Sequence, residues 1–324
     1  MILTTSDPLC IARDPASLET EWSELARRRA YPTVFLTPHW TRVARAFDRR
    51  EQVTLSIAER GVAALARDDD GTISFAGGEL TDYQDIVAKP ADVPAVAEAL
   101  AEWIVAKRTP RVLLEFVPEE SATVDVVAGV LRRAAYAVQV DRLVTAPRLT
   151  LPDSFETYVQ GLGKKERHEL RRKLRGLETG RRVSFRFAAD SERTAVFDRF
   201  VALHRRSRGE KAEFMTREME RFFRDVADTL AARGWLRLGA LNVDGEDAAV
   251  VFAFAYEGTF ALYNAAYDVA LAPLSVGIAC HAYAIRAAID EGLRTYDFLR
   301  GGEPYKYDLG GTDHWLLRLE ASRP

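Results

Sequence analysis

The chain has 324 residues, well above the size of a typical single domain, so two domains are expected. Hydrophobic residues make up 48% and charged residues 29%, which excludes a disordered chain, and a net charge of −3 excludes a global pull toward nucleic acid. Two distant cysteines, Cys10 and Cys280, and five scattered histidines exclude a disulfide framework and show no metal-type ligand spacing. Residues 1–10 lack the basic-then-apolar pattern of a secretory leader. The longest apolar run, 248–256, is about half of what a membrane-spanning helix needs. Cytoplasmic residence is the expectation.

In chain order, residues 18–30 and 38–47 have helical spacing, and 53–67 reads as strand broken at Gly61, followed by a short strand at 73–75. Residues 92–107 form an amphipathic helix with Val93, Val96, Ala97, Leu100 and Ile104 on one face. A buried-type strand at 112–117, a helix at 121–134 and a strand region at 136–149 complete an alternating pattern typical of layered α/β folds. Two prolines, Pro147 and Pro152, mark a boundary, giving domains 1–150 and 151–324. The second half opens with a strongly basic helix over 162–180, whose Leu170, Leu174 and Leu177 form a single packing face. A strand at 183–187 and helices at 192–206 and 216–233 follow. Residues 235–243, 248–256 and 259–267 read as an antiparallel meander with turns at Asp244-Gly245 and Glu257-Gly258. A helix over 276–291 and strands at 295–299 and 315–319 close the half.

Three segments carry a resemblance. Tyr263-Asn-Ala-Ala-Tyr-Asp268, Pro273-Leu-Ser-Val-Gly277 and above all Asp297-Phe-Leu-Arg300-Gly-Gly-Glu303-Pro-Tyr-Lys306 resemble the cellulose-biosynthesis CelD-like acyltransferases of the GNAT superfamily, relatives of the Fem-type peptidyl transferases. Lys164-Lys165-Glu166-Arg167, Leu203-His204-Arg205 and Thr81-Asp82-Tyr83-Gln84-Asp85 are weaker marks of the same kind. The resemblance implies an α/β fold of the α+β type. It comprises two tandem GNAT-like domains with mixed twisted sheets flanked by helices, the first degenerate and the second catalytic. It also implies an N-acyltransferase that holds no permanent cofactor. The co-substrate would be an acyl-CoA or acyl carrier protein thioester. The acceptor would be an amine of a cell-envelope, polysaccharide or lipid precursor. The alternatives are a Fem-type transferase using aminoacyl-tRNA and a non-catalytic scaffold of polysaccharide synthesis.

Within that frame the helix start at Ser275, Val276, Gly277, Ile278 and Ala279 is the expected place for donor phosphates. Ser275 is expected to cap the helix, Gly277 removes an obstructing side chain, and free N–H groups meet the positive helix end. The GNAT pattern has a polar residue where this chain has Leu274. An ordinary capped helix is the plainer reading.

Acyl transfer to an amine needs a base, a proton donor and charge stabilisation. Glu303, Asp297 and Asp268 are the candidate carboxylates, Lys306 and Arg300 the cations, and Tyr305 a hydroxyl donor. Glu303 and Lys306 rank ahead of Asp297, which can simply tie the strand end. Asp268 either acts on the amine or caps the turn after it. Tyr83, Asp85, His204 and Tyr267 are candidate substrate-binding residues, with Tyr263 and Tyr267 expected on one strand face. Arg205, Arg206 and Arg208 add charge after His204. His281 is expected to pack. The basic helix is either a solvated face or a contact for an anionic membrane surface, a phosphorylated donor or tRNA. Without interleaved aromatics, RNA ranks last, and the chain would then lie at the periphery of the inner membrane.

Overall fold

The structure, a computed structural model, describes residues 10–57, 60–207 and 213–323. The chain divides into two compact units, Met1–Thr145 with His314–Pro324, and Ala146–Asp313.

In the first unit the elements run β1 (Cys10–Ala12), α1 (Glu19–Arg27), α2 (Pro38–Ala46), β2 (Glu51–Ile57), β3 (Gly61–Arg67), β4 (Ile73–Phe75), β5 (Val87–Ala88), α3 (Val93–Ala106), β6 (Arg111–Pro118), α4 (Thr123–Arg133) and β7 (Ala137–Thr145). The sheet order is β1-β2-β3-β4-β6, then the chain's last strand, then β7, with β5 paired to β3. Among the described strands of this sheet only β4 and β6 run parallel. Alternation along the strands sends Leu55, Ile57 and Leu65 to one face, where Val96, Leu100 and Ile104 of α3 and Val127 and Leu131 of α4 cover them. Val62 and Val87 point the other way and meet Trp22 and Leu25 of α1.

The second unit contains β8 (Arg148–Thr150), α5 (Phe155–Gly161), α6 (Lys164–Glu178), β9 (Val183–Phe187), α7 (Arg193–Arg205), α8 (Arg217–Ala231), β10 (Leu236–Val243), β11 (Glu246–Tyr256), β12 (Thr259–Tyr267), α9 (Val276–Asp290), β13 (Thr295–Asp297) and α10 (Pro304–Asp308). Its six strands lie in the order β8-β13-β12-β11-β10-β9. Helices cover both faces of this sheet. Leu170, Leu174 and Leu177 of α6 and Val276, Ala279 and Ile285 of α9 meet Leu241, Val251, Ala253 and Leu262. On the other face Phe197 and Phe200 of α7 and Phe223 of α8 pack around Phe252. Two-sided cover explains why β11 is unbroken apolar sequence from Ala248 onward: every residue from Ala248 to Tyr256 is buried.

The expected strand at 315–319 is longer, β14 (Trp315–Ser322), and does not close the second sheet. It lies between β6 and β7 of the first, antiparallel to both. The strand region at 136–149 also splits, β7 staying in the first sheet and β8 joining β13 in the second. The boundary thus falls at Thr145, and the first unit is discontinuous in sequence.

Candidate functional site: an opening between two parallel strands

Strands β12 and β13 are neighbours over three pairs only, Thr259↔Thr295, Phe260↔Tyr296 and Ala261↔Asp297. Beyond Ala261, β12 continues to Tyr267 with β11 as its sheet neighbour. After Asp297 the chain leans toward the β8 side, where the Phe298 amide donates to the Pro147 carbonyl at 2.9 Å. The sheet opens at this point. One edge of residues 262–267 carries peptide groups that no strand among the described residues pairs, a surface suited to a ligand with amides of its own.

A β-bulge marks the opening. The register of β11 and β12 slips between Phe252 and Ala253, which leaves Tyr263 as the extra residue. Tyr263 therefore turns to the α8 face, among Phe222, Phe223 and Phe254. Tyr267 stays on the α9 face, so the two tyrosines do not share the side that unbroken alternation predicts. Asn264 joins Tyr263 on the α7 and α8 face and bonds to Nε2 of the buried His204 at 2.6 Å. His204 is thus held within the fold rather than offered at a cleft edge, and Arg208 lies outside the described residues. Sequence reasoning missed Asn264. Its one signal was its place inside the quoted 263–268 segment.

The first turn of α9 meets the far end of the open edge. Ser275 occupies the N-cap position with φ 56° and ψ 33° in the left-handed region, and its side chain makes no capping bond. The expected side-chain cap is absent, which leaves the first-turn N–H groups without an acceptor from that hydroxyl. Gly277 does more than clear a path. A Cβ there would stand 3.0 Å from Cδ1 of Tyr267, so the missing side chain makes room for that ring. Tyr267, 37% exposed, lies beside this turn.

The third wall is the loop after β13. Lys306 is 2% exposed, and its ammonium donates to the carbonyls of Leu299 (3.0 Å), Arg300 (2.7 Å) and Gly301 (3.0 Å) while pairing with Glu303 at 2.9 Å. Four acceptors saturate three N–H bonds. Lys306 is a clamp that shapes the loop, and the expectation that it meets reacting charge is corrected accordingly. The clamp holds unusual backbone: Leu299 has φ 57° and Gly301 φ 108°, and a Cβ on Gly301 would strike the Glu303 carboxylate. The Glu303 side chain itself is 56% exposed. Tyr305 stacks on His281 of α9 at 4.9 Å, bringing α10 against the helix whose start lines the opening. Burial, reinforced by the Glu303 charge, pushes the Tyr305 hydroxyl well above its ordinary pKa, so it keeps its proton.

Other candidates are fixed in structural roles. Asp297, 1% exposed, accepts from the Leu299 amide at 2.8 Å and pairs with buried Arg148 at 3.6 Å, tying β13 to β8. Asp268 accepts from the Ala270 amide at 3.0 Å, capping the 3₁₀ turn Val269–Leu274, and lies 3.7 Å from Arg199. Of the two readings of Asp268, the geometry supports the cap. Tyr83 is 1% exposed against Tyr31 and Phe35. Asp85 is buried, paired with Arg29 and bonded by Thr123 at 2.6 Å and the Ile86 amide at 2.8 Å. The cavity beside them is about 20 Å³, enough for a single water. Neither residue is available to a substrate there.

Residues 164–307 match the family model described as an acetyltransferase (GNAT) domain. No curated protein matches the chain. Among solved structures, FemX superposes with a TM-score of 0.69 at 10% identity, over 95% of this chain and 96% of that one. The C-terminal domain of a putative lysylphosphatidylglycerol synthetase from Agrobacterium fabrum gives 0.61 at 12% identity, over 96% and 93%. A tandem GNAT protein from the clavulanic acid biosynthesis pathway gives 0.51 at 11%, over 97% and 98%. Identities this low speak of fold alone. The chain is a mixed α/β protein of tandem GNAT-like fold, and its residues 164–307 match the acetyltransferase (GNAT) domain model.

Proposed function

We propose that the protein is an N-acyltransferase of the CelD-like kind that moves an acyl group from a coenzyme A or acyl carrier protein thioester to an amine of a cell-envelope, polysaccharide or lipid precursor. The parting of β12 and β13 beside the first turn of α9 carries the reading. A thioester donor offers amides along its arm for the open edge 262–267 and phosphates for the N–H groups of 276–278, the Ala279 amide already donating to the Ser275 carbonyl. Tyr267 and the glycine it packs on would line the junction of arm and phosphate.

The chemistry is direct attack: the amine nitrogen bonds to the thioester carbonyl carbon, the carbon–sulfur bond breaks, and the amine loses a proton. Glu303, the exposed carboxylate at the loop, takes that proton. The departing sulfur takes a proton from solvent, balancing the one given to Glu303, and Tyr305, kept protonated by its burial, offers it a hydrogen bond without giving up its own proton. Lys306 holds the loop that carries both. No nucleophile motif asks for a covalent intermediate.

The Fem-type resemblance of the sequence motivates a second donor, aminoacyl-tRNA. The test is transfer to a panel of amines followed by mass spectrometry, with acyl-CoA, acyl carrier protein and charged tRNA as separate donors. Thioester-driven product that survives RNase, and falls about a hundredfold or more in Glu303→Gln, is the expected result. Product from charged tRNA alone transfers the reading to the second donor. No product from any donor sinks both.

A further inference from the structure

Of the fifteen residues of α6, seven are Lys or Arg and three are Glu. At about 100° per residue, Leu170, Leu174 and Leu177 turn inward, and the face opposite them carries Lys164, Lys165, His168, Arg172 and Arg175, all exposed. No carboxylate stands on that stripe. Two of the three glutamates lie at its flanks and are engaged: Glu169 with Lys173 (3.5 Å) and with the stripe's own Arg172 (2.7 Å), and Glu178 with the Tyr283 hydroxyl (2.6 Å). Arg171 is drawn to Glu156 of α5 at 2.8 Å. The side chains of Lys164, Lys165 and Arg175 have no ion pair or hydrogen bond among the described residues.

We propose that this stripe docks the protein on an anionic lipid surface. The chain as a whole is negative, so the attraction is local and oriented. From Lys164 to Arg175 the stripe runs straight for about 16 Å, which suits a plane of headgroups. Its one ring is the His168 imidazole, with no run of aromatics on which successive bases stack, and a single convex helix offers no groove for a strand. No large apolar side chain stands on it either, so docking is peripheral and reversible by salt. Each cation at an anionic surface multiplies binding roughly fivefold. The inference needs no acyl donor or acceptor and stands apart from the transferase reading.

The experiment is vesicle co-sedimentation of the full chain with phosphatidylglycerol-containing and pure phosphatidylcholine vesicles, at low and high salt. Binding to the anionic vesicles alone, lost at high salt, is expected. Lys164→Gln/Lys165→Gln/Arg175→Gln should weaken it about a hundredfold. Lys89→Gln/Lys107→Gln/Arg132→Gln removes the same charge from exposed positions elsewhere and should leave it within about twofold. No binding at low salt overturns the proposal, as does equal loss in the two variants. Displacement from vesicles by a duplex or single-stranded oligonucleotide at equal phosphate concentration reassigns the stripe to nucleic acid and overturns it too.

Discussion

Replacing Lys306 by Met would strand the carbonyls of Leu299, Arg300 and Gly301 and leave Glu303 without its ammonium. Buried acceptors that lose a charged donor cost about 2–4 kcal/mol, so Lys306→Met should shift the urea midpoint accordingly; a change below about 0.5 kcal/mol would contradict the clamp. Glu303→Gln should behave oppositely. Its half-exposed carboxylate contributes less than about 1 kcal/mol, so stability holds while turnover falls. The pair stood out in sequence because charged residues flank an apolar run; burial then separates the two, Lys306 enclosed and Glu303 half exposed. Acid stability offers another residue-scale test in the first unit. Burial alone would raise the Asp48 carboxyl, but bonds from the Arg50 side chain and amide, the Arg50 charge and the Gly77 amide outweigh it and hold it at about 2. A folded value below the unfolded one, about 3.9, gives stability that is present above that pH and lost as pH falls toward 2. Asp48→Asn should flatten the stability profile across that window. An unchanged acid limb would show that the carboxylate contributes nothing.

At the scale of elements, the start of α9 separates stability from binding. Aspartate tolerates the left-handed conformation of Ser275 and favours a helix N-terminus, so Ser275→Asp should hold or raise the melting temperature. The same carboxylate would face the phosphates of the proposed donor and should weaken acyl-CoA binding on the order of tenfold, about 1.4 kcal/mol. Parallel loss of both would mean the turn serves only the fold. Much of the local structure was readable. Asp244 and Gly245 both take positive φ, as do Glu257 and Gly258, which is the twist a tight hairpin demands. β9 has the bounds that alternation predicts. Helices α5 and α10, at seven and five residues, are too short for periodicity to reveal. The bulge at Tyr263 escaped because an inserted residue changes the face of its neighbours without changing composition. The opening itself is a property of two strands separated by a helix, so no local pattern announces it.

At the scale of the whole molecule, the return of β14 to the first sheet was invisible to sequence reading for a similar reason. Pairing between Leu319 and Leu114 spans most of the chain, and periodicity reports only that Trp315–Ser322 is a strand, not where it pairs. Removing residues 314–324 would expose the inner edges of β6 and β7, which are joined through that strand. Such a truncation should destabilise the first unit selectively, seen as early loss of amide protection in β6 and β7 while β10 and β11 stay protected. Uniform loss would contradict the two-unit division.

The donor site can be located by amide hydrogen exchange with and without saturating acetyl-CoA. Added protection is expected only at residues 262–267 and 276–278, the open strand edge and the first turn of the helix beside it. Protection elsewhere, or none at a concentration where calorimetry shows binding, would contradict it.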